Sequence, residues 1–161
     1  MGKTACKVLA ALAGKTLATA ESCTGGGIGA ALTAVPGAST VYKGGIISYT
    51  NWVKAHLLGV DENLLNTFGA VSAPVARAMA LGARVITGAD LALSVTGLAG
   101  PDGDDRGNPV GTVFTALAAP EGVFVEQLAL GGDRAQIRAL SAHHALDMAR
   151  RYLTHQMTEG E

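Results

Sequence analysis

The stretch "TLATAESCTGGGIGAAL", residues 16–32, decides the fold class. Its opening, "TLATAE", reads as a short strand ending at Ser22. Three consecutive glycines follow. Beyond them Ile28, Ala31, Leu32 and Val35 occupy one helical face, which predicts a helix from about Thr24 to Ala34 that stops near Pro36. A strand that runs through glycines straight into a helix is the signature of an α/β chain.

The same alternation continues outward. Upstream, Val8, Leu9 and Leu12 predict a helix over 3–13. Downstream, "GGIISYT" is a second strand, and Asn51 is placed to cap a short helix through Trp52, Val53, His56 and Leu57. "DENLLNTFG" is a brief helix closed by Gly69. Ser72 then caps a longer one, with Pro74 in its first turn and Val75, Met79, Ala83 and Ile86 along one face. "DLALSVTG" reads as a buried strand, and Thr96 to Gly111 as a long loop rich in Gly, Pro and Asp. "GTVFTALAAPEGVFVEQLALGG" is a hairpin around Pro120–Gly122. Asp133 caps a last helix through Ile137, Leu140, His144, Met148 and Tyr152. Strands alternating with helices predict a mainly parallel sheet covered on both faces, into which the hairpin brings one antiparallel strand. No linker or repeat interrupts this pattern, so residues 1–161 read as one domain.

Composition narrows the function classes. With 48% hydrophobic residues, the chain can fill a core. Its 22 glycines and many alanines point to helices packed closely on a sheet. A formal charge of −1 and a pI of about 6.4 argue against a nucleic-acid or anionic-membrane surface. No apolar run is long enough to span a bilayer. The N-terminal "MGKTACKVLAALAGK" reads as an amphipathic helix rather than a signal peptide, because Lys7 interrupts a short apolar run. Cys6 and Cys23 make neither a disulfide framework nor a CxxC pair, and a reducing cytoplasm is the expected compartment.

Familiar ligand motifs fail one by one. "GKT" at Gly2–Thr4 leaves no room for the glycine a P-loop needs, and at Gly14–Thr16 that position is Leu9. "GGGIG" does not fit G-x-G-x-x-G, since Leu32 stands where the last glycine belongs. Asp102, Asp104 and Asp105 do not continue as a calcium loop, because Arg106 and Val113 occupy ligand positions. No His/Cys group has zinc spacing. The four histidines read as ordinary helix residues, with His143, His144 and His155 on the last helix. Neither a metal nor a cofactor is expected.

What remains gathers at the carboxyl ends of the strands, where open α/β sheets collect ligands. Ser22 leaves the first strand there, and amides near Thr24, Gly25 and Gly26 could hold an oxyanion or phosphate. By itself this motif is more often a plain helix cap. Lys54, in the first turn of its short helix, faces the positive end of the dipole, which lowers its pKa toward the range of a useful base. It follows the second strand and so could reach Ser22, with Tyr49 orienting either group; alone, a solvated lysine is an equal reading. Thr96, Gly97 and Gly100 open a glycine-rich loop at the same edge. Arg134, in "GGDR", begins the last helix and is placed to pair with an anion.

"ATAESCTGG", "VPGASTVYKGGIISYTNWVK", "GAVS" and "SVTGLAGPDG" followed by "PVGTVF" resemble the C-terminal domain of the competence/damage-inducible CinA family, which includes stand-alone nicotinamide-mononucleotide deamidases. The resemblance covers nearly the whole chain, in order. It implies a three-layer α/β/α sandwich with a five-stranded mixed sheet. It also implies hydrolysis of the carboxamide of nicotinamide mononucleotide to nicotinate mononucleotide and ammonia, by a Ser/Lys dyad without metal. Lys54 matches the motif lysine, and Tyr49, Thr96 and Arg134 match polar site positions. Both Ser22 and Ser39 match serine positions. Chain order favours Ser22, since Ser39 follows the returning helix and should start near the opposite edge. The partner so implied is a small nucleotide, and self-association stays open. Two alternatives stand beside this reading: a non-catalytic nucleotide sensor tied to competence or DNA damage, and a hydrolase of another small amide.

Overall fold

The computed structural model describes residues 1–157. Its elements, in chain order, are α1 (Gly2–Leu12), β1 (Leu17–Glu21), α2 (Gly27–Thr33), a 3-10 turn (Ala38–Thr40), β2 (Tyr42–Ile47), α3 (Asn51–His56), α4 (Glu62–Phe68), α5 (Ala73–Thr87), β3 (Leu91–Gly97), β4 (Thr112–Ala119), β5 (Gly122–Ala129) and α6 (Arg134–Leu153). The five strands form one mixed sheet in the order β2-β1-β3-β4-β5. β1 pairs in parallel with both β2 and β3, while β4 is antiparallel to β3 and β5. Only β4 therefore runs against the others, as the hairpin predicts.

Alternation along the strands builds two cores. Leu17 of β1, Leu91, Leu93 and Val95 of β3, and Val113 and Leu117 of β4 face one layer, where they pack with α1, α2 and α6 through Val8, Leu12, Ile28, Leu32, Ile137 and Leu146. Ala18, Ala20 and Ala92 face the other, against Val75, Met79 and Ala83 of α5 and Leu65 of α4. Phe114, Ala116 and Ala118 extend that second layer over Ala76 and Ala80. The alanines on both surfaces let α5 lie close to the sheet. This is the three-layer α/β/α sandwich with a five-stranded, mainly parallel sheet.

Several local expectations shift. α2 begins at Gly27 rather than Thr24, because Gly25 and Gly26 take left-handed φ values of 58° and 100° and turn the chain first. β2 starts at Tyr42 and stops before Ser48. Thr50, not Asn51, caps α3, its hydroxyl accepting the Val53 amide at 3.4 Å. Ser72 occupies the cap position of α5 but donates its hydroxyl to the Gly69 carbonyl at 2.8 Å. Ile86 and Leu140 are exposed. His155 lies just past α6 with φ of 56°. Cys6 and Cys23 are both free thiols. Among the described residues no helix is long and apolar enough to cross a membrane.

Candidate active site

The order β2-β1-β3 means that the chain leaves β1 to one side and returns to its other side, so the sheet's switch point lies at the end of β1. Ser22 occupies that end. Its amide continues the ladder by donating to Val95 at 3.0 Å, and the Ser48 amide donates to the Glu21 carbonyl at 2.8 Å. The segments after β1 and β2 are thereby pinned side by side.

Lys54 enters this corner from α3. Helical side chains lean toward the helix N-terminus, and here that direction leads back to the residues just after β2. Nζ donates to the Ser48 carbonyl at 2.8 Å, to the Tyr49 carbonyl at 3.4 Å and to Ser22 Oγ at 3.1 Å. The lysine is 1% exposed, and this burial lowers its pKa from 10.5 to about 8. The cause differs from the expected one. α3 has only six residues, so its first and last turns overlap and the dipole gives no net push. The Trp52 and Tyr49 side chains are themselves 63% and 57% exposed, and Trp52 stacks on His56.

Ser22, Lys54, Tyr49, Thr96, Gly97, Gly100 and Arg134 all line one cleft of about 290 Å³, together with Cys23, Asn51 and Asp102. Thr96 donates its hydroxyl to the Ala70 carbonyl at 2.8 Å, holding the end of β3 to the segment before α5. Gly97 has no room for a side chain, because a Cβ there would lie 2.7 Å from Val113 Cγ2. Arg134 bridges the cleft's rim, donating to the Gly100 carbonyl at 2.5 Å and the Tyr49 hydroxyl at 3.1 Å. Cys23 is buried beside the serine, and burial raises its thiol pKa to about 11, so it stays protonated at neutral pH.

The expected residues that stand apart are Ser39 and the three turn residues. Ser39 is exposed on the 3-10 turn before β2, at the opposite end of that strand from Lys54. Thr24, Gly25 and Gly26 do not line the cleft. The amides at the start of α2 are already engaged, and by a residue that none of the sequence motifs singles out. The buried Glu21 carboxylate accepts from the Ile28 amide and Thr24 hydroxyl at 2.8 Å each and from the Gly29 amide at 3.0 Å. Arg138 is a second such residue. Its Nε and Nη2 donate to the carbonyls of Cys23 and Thr24 at 3.0 and 3.3 Å. Both had a legible signal: an acid closing a strand of small apolar residues, and a second arginine one helical turn after Arg134.

Among the described residues no group of three His, Cys, Asp or Glu side chains could hold a metal ion. Chemically, the cleft offers a hydroxyl, a lysine amine of lowered pKa within hydrogen-bond reach of it, and a guanidinium at the rim. That set suits nucleophilic attack on a small anionic substrate.

A family model described as the CinA C-terminal domain matches residues 3–153. A CinA-like protein of Synechococcus is 58% identical over 85% of this chain, which covers 33% of that relative. A CinA-like protein of Desulfotalea psychrophila is 53% identical over 87% of this chain and 34% of its own length. The chain thus spans about a third of the curated relatives it matches. Among solved structures, the competence damage-inducible protein A of Klebsiella pneumoniae superposes with a TM-score of 0.94 at 32% identity, over 97% of this chain and 98% of that one. The competence/damage inducible protein CihA of Agrobacterium tumefaciens gives 0.90 at 39% identity, over 95% and 94%.

Proposed function

The chain belongs to the CinA C-terminal domain family, and from that membership and the cleft's chemistry we propose that it is a serine amidohydrolase acting on nicotinamide mononucleotide. One observation carries the reading. A buried lysine amine, its pKa lowered to about 8, lies 3.1 Å from the hydroxyl of a serine at the switch point of the sheet. A serine is a weak nucleophile until a base takes its proton, and a desolvated lysine can be that base.

In the proposed reaction, neutral Lys54 accepts the Ser22 proton as Oγ bonds to the carboxamide carbon. Backbone amides stabilise the oxyanion. The C–N bond then breaks, and Lys54 returns the proton to the departing ammonia. Water, deprotonated by the same amine, cleaves the resulting ester to nicotinate mononucleotide and frees Ser22. Arg134 is the proposed holder of the substrate phosphate, since it lines the cleft and a guanidinium pairs well with phosphate. Ser39, far along β2 from the amine, is not part of this scheme.

The test is ammonia release from nicotinamide mononucleotide by purified protein, with and without a chelator. Turnover should survive chelation, disappear in Ser22→Ala and persist in Ser39→Ala. Nicotinamide riboside, lacking the phosphate, should be a much poorer substrate. Binding of the mononucleotide without turnover would replace the hydrolase by a nucleotide sensor, and loss in Ser39→Ala alone would move the nucleophile.

A further inference from the structure

Arg138 takes no part in the reaction as described and does not line the cleft, yet two of its donors go to the turn that carries Ser22. It reaches the carbonyls of Cys23 and Thr24 from α6 at 3.0 and 3.3 Å. The approach is close: a Cβ at Gly25 would lie 3.2 Å from its terminal nitrogen. α6 has no need of it for stability at its start, which Asp133 and Gln136 already close with a reciprocal capping box.

A guanidinium on two successive carbonyls fixes two peptide planes. The peptide between Cys23 and Thr24 is trans, so its N–H points opposite to its carbonyl. With that carbonyl held at Arg138, the Thr24 N–H points to the side of the turn away from the guanidinium, and the two residues just before it, Ser22 and Cys23, line the cleft. The cation also polarises this peptide, which strengthens its N–H as a donor. Two neighbouring amides are engaged within the turn: Gly25 donates to the Ser22 carbonyl and Gly27 to the Thr24 carbonyl, both at 3.0 Å. Those of Ile28 and Gly29 go to Glu21.

We infer that Arg138 is a positioning residue, which with Glu21 clamps the turn so that the Thr24 amide meets the oxyanion formed when Ser22 attacks. Arg138 acts on the carbonyl side of the turn as a cation, and Glu21 acts on its amide side as an anion. The inference rests on the amidohydrolase reading.

Steady-state kinetics on nicotinamide mononucleotide, with pH profiles and melting curves, test it in Arg138→Ala, Arg138→Lys and Glu21→Gln. Misplacing one oxyanion donor should lower kcat roughly 10- to 100-fold while KM stays within about twofold. The rise of activity with pH, centred near pH 8, should not move, because burial of Lys54 is untouched. Arg138→Lys should recover part of the loss, since an ammonium still reaches a carbonyl. A purely structural role would instead lower the melting temperature and leave kcat per folded molecule unchanged. If wild-type protein turns over and folded Arg138→Ala keeps its kcat, the clamp is wrong and the hydrolase stands. An inactive wild type removes both.

Discussion

Lys54 carries its amine into a position 1% exposed, where burial holds its pKa at about 8 instead of 10.5. The sign of the consequence follows from proton binding. Below pH 8 the group is charged in folded and unfolded chains alike, and the fold bears the cost of a buried charge. Between about 8 and 10.5 the unfolded chain binds more protons, so stability rises with pH across that window. The gap corresponds to roughly 3 kcal/mol. Lys54→Met removes that cost but takes the donor from the Ser48 carbonyl, the Tyr49 carbonyl and Ser22 Oγ; the last two belong to cleft-lining residues that water can reach, so the loss is mainly that of the buried Ser48 bond, about 1 kcal/mol. The variant should therefore be inactive yet melt roughly 3–6 °C higher at pH 7, a net gain of about 1–2 kcal/mol. The advantage should shrink as pH rises beyond 8, and an unchanged or lower melting point at pH 7 would contradict it. Activity of the wild type should climb with pH and level off above the same value. Lys54 and Ser22 were legible as a pair because each follows a parallel strand. The depth of Lys54's burial was not, since it depends on how α3 folds back over Ser48 and Tyr49.

At the scale of elements, period and punctuation identified nearly every helix and strand, and the errors sit at caps and edges. Asn51 and Thr50 are both good capping residues, so sequence alone could not choose between them. Glu21 shows the harder case. Its carboxylate organises the start of α2, seven residues further along the chain; the acid is visible at the end of its strand, but no local pattern names the amides that it will meet. α5 offers a test in which propensity and packing disagree. Gly82 lies inside this helix, where exchange for alanine should favour the helix by about 1 kcal/mol. A Cβ there, however, would overlap the backbone carbonyl of Leu58, which cannot swing aside as a side chain can. Relieving the overlap means moving α5 away from the turn before Val60, and overpacking of this kind costs about 1–3 kcal/mol. Gly82→Ala should therefore lower the urea midpoint despite the better helix former. A higher midpoint would mean that α5 and the Leu58 turn separate easily.

For the whole molecule, the sheet order is the step that periodicity could not supply. Nothing in the runs of apolar residues says that β3 lies on the far side of β1 from β2; that placement creates the switch point where Ser22, Lys54 and Thr96 meet. The cleft is consequently built from segments distant in sequence: the ends of β1 and β3, the segment after β2, α3 and the start of α6. Its most irregular wall, residues 98–111, is also tied down. Asp104 accepts from the amides of Arg106 and Asn108 at 3.0 and 2.9 Å, while the Arg106 guanidinium donates to the carbonyls of Thr67 at 2.8 Å and Asn66 at 2.5 Å at the end of α4. Arg134 closes the rim from α6 onto Gly100. No part of the site can leave without breaking contacts to another layer, so loss of the site and loss of the fold should be one event. In a urea titration, turnover in the proposed reaction and far-ultraviolet ellipticity should fall along the same curve. Activity lost at clearly lower urea, with ellipticity intact, would show that the 98–111 segment releases first and that the staples at Asp104 and Arg106 are weaker than their geometry implies.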